Sequence, residues 1–213
     1  MLKKEIIGMK HINKIIGIVD GDVLIYRSCH KSIKEELDVR KTFDKIYDEV
    51  KMNTACDEYS LHISGGGNFR KDLKQNFCKY KGKRREKPDN YLECREYIIK
   101  KYKPIMKKNY EADDTASVEA YNYIKTGQLY MLITLDKDWK TIGGLFYNLL
   151  YNNLSAISKV EGIEFFHQQL LTGDAVDNIP GIEGVGPIKA NKILKGKNLK
   201  DQFEAIIKTY KTH

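Results

Sequence analysis

Long hydrophobic runs are missing from this sequence of 213 residues. The apolar stretches at residues 15–16 and 149–151 fall far short of the roughly 20 residues that a spanning helix needs, so a soluble protein is expected. The start, Met1-Leu2-Lys3-Lys4, is basic, but only a few apolar residues separate it from Lys10 and His11. That is too little for a secretory signal, and the cytoplasm is the expected location. Cysteine is scarce: Cys29, Cys56, Cys78 and Cys94 stand far apart with no CxxC pair. Their spacing argues against a zinc site and against a disulfide scaffold, leaving reduced structural thiols. The histidines, His11, His30, His62, His167 and His213, form no HxxxH pair, so imidazole ligation is not expected. No internal repeat or low-complexity tract is present, and the length fits a single domain over residues 1–213 with one site.

What the chain has in excess is positive charge, with 37 lysines and arginines against 29 acids, a net charge of +8 and a pI near 9.1. Basic side chains displace condensed counterions from phosphates, so a nucleic acid is the first candidate partner; solubility alone is the plainer alternative.

Strand-like apolar runs alternate with helical periodicity, the pattern of an α/β fold with a central, mainly parallel sheet flanked by helices. Residues 15–19 read as a buried strand followed by a turn at Asp20-Gly21. Val39, Phe43, Ile46, Tyr47 and Val50 recur at helical spacing. Further strands are expected at residues 59–63, ending in Ser64-Gly65-Gly66-Gly67, and at residues 131–134 and 145–149. The lysine- and arginine-rich stretch of residues 71–108 reads as an excursion from the core, with periodicity only at Tyr91, Cys94, Tyr97 and Ile98. From Glu161 the chain reads as helical, broken by a glycine-rich segment at residues 180–187.

In open parallel sheets the ligand site lies beyond the carboxyl ends of the strands. Asp20 follows the first strand there, and Asp136 and Asp138 follow the central one. Glu111, Asp113 and Asp114 open a helix, and Asp174 and Asp177 sit in a short loop after another. Each close pair of carboxylates costs roughly 4 kcal/mol at an effective dielectric of 20, so cations must accompany such a cluster. Oxygen ligands without histidine or cysteine suit Mg²⁺ or Mn²⁺, and two such ions could activate water and stabilise the leaving oxygen of a phosphodiester. Taken singly, each acid has an ordinary explanation; the acids of residues 111–114 also suit a helix N-terminus.

The segments Val19-Asp20-Gly21-Asp22, Glu111-Ala112-Asp113-Asp114, Thr134-Leu135-Asp136-Lys137-Asp138 and Leu171-Thr172-Gly173-Asp174-Ala175-Val176-Asp177-Asn178-Ile179-Pro180-Gly181-Ile182-Glu183-Gly184-Val185-Gly186 resemble, in order, the acid motifs of the 5′ nucleases. That family holds flap endonucleases, the 5′ nuclease domain of bacterial DNA polymerase I and phage 5′-to-3′ exonucleases, and the similarity spans about residues 14–195. Asn68-Phe69-Arg70-Lys71 and Tyr80-Lys81-Gly82-Lys83-Arg84 are similar to the segment carried by phage members.

The resemblance implies a PIN-like fold with a basic arch, about residues 71–108, and a helix-three-turn-helix, about residues 161–195. It puts Asp20, Glu111, Asp113, Asp114, Asp136, Asp138, Asp174 and Asp177 on the metal-binding acids, and implies two Mg²⁺ or Mn²⁺ ions. Asp22 has no such match and reads as a turn or cap residue. Arg70, Tyr80, Lys81 and Arg84 fall on positions that engage the scissile phosphate or nearby DNA, with Lys81 and Arg84 as catalytic cations. The chain departs from the family at Ser64-Gly65-Gly66-Gly67, where relatives carry another metal-binding aspartate, and at Ile188, where they often carry lysine beside the position of Lys189.

Gly181, Gly184 and Gly186 let a backbone bring N–H groups up to a phosphate beside a helix N-terminus, though an ordinary glycine turn reads the same way. The family holds K⁺ at this turn. Lys71, Lys74, Lys79, Lys81, Lys83, Arg84, Arg85 and Lys87, interleaved with Phe77 and Tyr80, form either a surface for a single-stranded 5′ end or a solvated face. The expectation is a monomeric, metal-dependent 5′ nuclease acting on branched or 5′-ended DNA. Its alternatives are a branch-binding protein with a degenerate metal site and a ribonuclease acting on RNA:DNA hybrids.

Overall fold

The apolar run after Lys14 forms strand β1 (Ile16–Asp20), with β2 (Glu58–His62) and β3 (Tyr130–Thr134) parallel on its two sides. β4 (Gly144–Asn148) extends the sheet parallel to β3, and β5 (Asn153–Ile157) closes the edge antiparallel, for the order β2-β1-β3-β4-β5. The computed structural model describes residues 14–72, 80–81 and 86–213, apart from the side chains at 71 and 72. Ile18, Val19, Leu132 and Ile133 are wholly buried, as central parallel strands covered on both faces must be.

One face of the sheet is covered by α1 (Gly21–Glu35), α2 (Val39–Thr54) and α4 (Tyr91–Tyr102), the short α3 (Phe69–Asp72) preceding α4 in the chain. Leu24, Ile25, Phe43, Tyr47, Cys94 and Ile98 pack there against Val19 and Ile133. The other face is covered by α5 (Ala112–Thr126), whose Ala116 and Ala120 meet Ile18, Leu132, Trp139 and Phe146. A third cluster, including Leu171, Ile182, Val185, Leu194 and Ile206, joins α6 (Lys159–Thr172), α7 (Pro187–Leu194) and α8 (Leu199–Thr212).

The α/β class with a mainly parallel sheet is as expected, and three local readings change. Asp20-Gly21 is no simple turn: Asp20 caps α1 by accepting the Val23 N–H at 3.1 Å, and a full helix precedes α2. The 71–108 stretch is not wholly an excursion, because α4 lies within it and Tyr91, Cys94 and Ile98 belong to the main core. β5 was not anticipated, since all but the last of its residues are exposed and give no apolar alternation. No helix among the described residues is long and apolar enough to cross a membrane.

Candidate active site

The fold sets one acid at each of two neighbouring strand ends and ties them through a shared hydroxyl. Asp20, 3% exposed at the end of β1, accepts the Thr134 hydroxyl proton at 2.7 Å. That same Thr134 oxygen, at the end of β3, accepts the Asp136 N–H at 2.9 Å. Asp136 in turn accepts the Asp138 N–H at 2.8 Å, capping the 3-10 turn Lys137–Ile142. Asp138 accepts from Gln169 Nε2 of α6 at 2.6 Å.

The start of α5 brings the next acids to the same end of the sheet. Glu111 and Asp114 form a reciprocal capping box, and Asp113 accepts the Trp139 indole N–H at 2.9 Å. Asp174 lies in a two-residue ladder between β6 (Gly173–Asp174) and β7 (Ile179–Pro180). It accepts the Val176 N–H at 2.8 Å, and Lys137 Nζ approaches it to 3.3 Å. A side chain at Gly173 would put its Cβ 2.3 Å from Gly181 N, so this pair is glycine because two backbones meet there.

Burial, helped by the Asp113 charge, pushes Asp20 up to about 8, although the Thr134 hydrogen bond opposes it. Asp113 is pushed up to about 6, again mainly by burial, with the Trp139 N–H pulling the other way. Burial also raises Asp136 and Asp138. Asp114 stays below the usual range: burial would raise it, but the Arg70 guanidinium and the Glu111 N–H outweigh that. Asp174 is likewise low, because backbone N–H groups and Lys137 outweigh its burial. Electrostatic coupling links Asp20 to Asp113, Asp113 to Asp136, Asp136 to Asp177 and Asp138 to Asp174. These acids therefore share one neighbourhood.

Three residues expected to face DNA are turned onto these acids. Lys81 Nζ lies 2.5 Å from Glu111 Oε1 and 3.7 Å from Asp177 Oδ1. Tyr80 donates its hydroxyl to Glu111 at 2.9 Å, and Arg70 grips Asp114 with two hydrogen bonds of 3.0 and 2.7 Å. Arg84, with Lys74, Phe77, Cys78, Lys79, Lys83 and Arg85, lies outside the described residues.

Among the described residues no three acidic side chains close into a ready cage for one ion. The donor set nonetheless suits a hard divalent cation: it is all carboxylate oxygen, and burial raises several of its members. Asp22, read from the sequence as a turn or cap residue, is not the cap of α1; its Oδ1 is buried with no hydrogen-bond partner.

The glycine-rich turn runs from Gly181 to the start of α7. Ile182 and Val185 tuck into the third core cluster, Gly184 takes a positive φ of 69°, and Gly186 caps α7 with no side-chain hydrogen bond. Lys189 and Lys192 stand beside Ile188, which is 79% exposed. The sequence reading missed Thr134, Trp139, Gln169 and Lys137, which orient or pair with the acids. Of these, Thr134, Lys137 and Trp139 could have been suspected from their places beside the two aspartates. Neither His62 nor His167 joins the site: His62 is held between Thr115 and Glu119, and His167 by Gln202.

No family model matches the chain. Its fold is similar to the crystal structure of the T5 D15 protein co-crystallised with metal ions, with a TM-score of 0.68 and 20% identity over 93% of this chain and 85% of that one. The two chains thus share one α/β architecture. In sequence the chain is 27% identical to a 5′-3′ exonuclease of Buchnera aphidicola, over 93% of this chain and 78% of the relative. It is 25% identical to a flap endonuclease Xni of Shewanella piezotolerans, over 86% and 77% respectively. With the ordered acid motifs above, these likenesses fit the 5′ nucleases: the proteins this chain is similar to are 5′-3′ exonucleases and flap endonucleases.

Proposed function

We propose that this protein is a metal-dependent, structure-directed 5′ nuclease that hydrolyses DNA phosphodiesters near a 5′ end or a branch. The observation that carries the reading is the set of buried Asp20 with half-buried Asp113 and Asp136, gathered at the carboxyl ends of β1 and β3 and the start of α5. Burying these carboxylates is unfavourable without a cation to balance them. Asp20, Glu111, Asp113, Asp114, Asp136, Asp138, Asp174 and Asp177 are the residues that would hold two Mg²⁺ or Mn²⁺ ions. Such ions supply an activated water and stabilise the leaving oxygen of an in-line displacement.

The chain's own groups prepare that chemistry. Thr134 and Trp139 fix the carboxylates of Asp20 and Asp113, so little reorganisation is needed when they take up charge. Lys81 brings a buried ammonium to the acids, and with Arg84 it is the cation assigned to the charge that develops on the phosphate. Arg70 and Tyr80 line the same approach. The turn of Gly181, Gly184 and Gly186 and nearby Lys189 hold duplex phosphates, a contact without base information, so substrate choice follows shape. K⁺ at that turn, a monomeric state and action in the cytoplasm complete the proposal.

The test is a labelled 5′-flap duplex incubated with Mg²⁺, with Mn²⁺ and with EDTA, beside an RNA:DNA hybrid. Metal-dependent cutting near the junction is expected. Tight binding of the flap with no cutting in either metal would replace this reading with that of a branch-binding protein, and faster cutting of the hybrid would make it a ribonuclease.

A further inference from the structure

Around the acid rim, the ends of β1 and β3 and the start of α5 each contribute carboxylates, whereas β2 runs into Ser64-Gly65-Gly66-Gly67. Packing excludes an acid at Gly65, where an added Cβ would lie 1.9 Å from the Lys107 carbonyl oxygen. The Gly65 N–H is also committed, donating to the Tyr110 carbonyl at 3.0 Å.

A carboxylate nevertheless reaches this place from a different element. Asp22, in the first turn of α1, accepts the Ser64 N–H at 3.0 Å and the Ser64 hydroxyl proton with the same Oδ2. The Ser64 oxygen accepts the Ala112 N–H at 3.2 Å, which sets the Asp22 carboxylate beside the N-terminus of α5. The Ser64 carbonyl accepts from Arg95 at 2.6 Å, so α4 braces the loop from outside. Only Oδ2 is used; Oδ1 is buried and has no partner. Burial of a carboxylate oxygen without a hydrogen bond is costly and calls for a ligand. Asp22 is also close enough to add, after burial and Asp113, to the forces that raise Asp20.

We propose that Asp22 supplies the carboxylate that the end of β2 lacks, and that its free oxygen is a ligand to a divalent ion held by the acid rim. The proposal rests on the metal-dependent reading above and concerns a residue outside the eight acids assigned there. In this chain the ligand has moved from the strand end to the neighbouring helix, with Ser64 as its holder.

Mn²⁺ binding followed by electron paramagnetic resonance, together with melting in EDTA, tests it on three proteins. Wild type should bind Mn²⁺. Asp22→Asn, which keeps an oxygen for Ser64, should bind at least roughly tenfold more weakly while melting in EDTA no lower than wild type. The double variant Asp22→Ser with Ser64→Asp returns the carboxylate to the end of β2 and should recover most of the affinity. Wild-type affinity in Asp22→Asn overturns the proposal, as does a double variant no better than Asp22→Asn. A lower melting temperature for Asp22→Asn in EDTA overturns it too, since Asp22 would then be a brace for the loop. Failure of wild type itself to bind Mn²⁺ would instead remove the metal-dependent reading on which the proposal stands.

Discussion

The Lys81 ammonium sits 2.5 Å from Glu111 Oε1 and 3.7 Å from Asp177 Oδ1, so one buried cation joins the start of α5 to the loop between β6 and β7. The Lys81 N–H adds a hydrogen bond to the Asp177 carbonyl at 2.9 Å. Breaking a buried ion pair from one side leaves an uncompensated charge and costs about 3 to 5 kcal/mol. Lys81→Met should therefore lower the melting temperature in EDTA by roughly 6 to 15 °C on the scale of a domain this size. Saturating Mg²⁺ should return part of that loss, because an ion bound by the folded state stabilises it. Equal melting of variant and wild type in EDTA would show that the pair does not hold these elements together.

The two raised aspartates make the metal-free protein sensitive to pH in a defined direction. Asp20 stands at about 8 and Asp113 at about 6, against 3.8 for an unperturbed aspartate. Between those limits the folded state binds more protons than the unfolded one, so stability falls as pH rises. The contribution is fully present below about 4 and is lost through about 6 and then about 8. Denaturant melts in EDTA should show a more stable protein at pH 5.5 than at pH 8.5. Metal affinity should change in the opposite sense, rising over the same window, since the ligands must lose their protons.

Trp139 is wholly packed in the core beneath α5, and its N–H is a hydrogen-bond donor to Asp113. Trp139→Phe keeps most of the apolar volume and removes that donor. Losing one hydrogen bond to a charged group is worth about 1.5 to 3 kcal/mol, so divalent-metal affinity measured by calorimetry should drop roughly 10- to 100-fold. An unchanged affinity would mean that Asp113 is not part of the metal-binding set.

Lys189 lies next to the N-terminus of α7 and beside the exposed Ile188. A lysine that contacts a phosphate contributes to affinity without sequence preference. Lys189→Ala should weaken binding of flap duplexes of any sequence and reduce the salt dependence by about one unit of slope. Loss of affinity for only some sequences would point to base contacts instead.

Much of this architecture is legible from the residues themselves. β1 and β3 are buried on both faces, so they read as continuous apolar runs, and the acids that follow them are in plain view. α1 was hidden because Asp20-Gly21 has the composition of a turn, while several of its inward positions are the small or polar Gly21, Ser28 and Ser32. α4 was masked by the lysines around it, although Tyr91, Cys94 and Ile98 kept the period that its burial requires. Long-range pairings have no local signature at all. Lys81 against Glu111 and Trp139 against Asp113 span 30 and 26 positions, and Asp22 meets Ser64 across 42. Composition treats Lys81 as one more cation in a basic run, whereas the fold leaves it only 9% exposed among carboxylates.

The most direct test of the central claim is single-turnover cleavage of a labelled 5′-flap duplex in Mg²⁺ by wild type and Asp136→Ala, with flap binding measured in EDTA for both. Asp136 is tied to Thr134 and Asp138 and is assigned to the metal-holding set. The account predicts metal-dependent cutting by wild type, a rate at least roughly 100-fold lower in the variant, and equal binding by the two proteins. Cleavage by Asp136→Ala at the wild-type rate would contradict it.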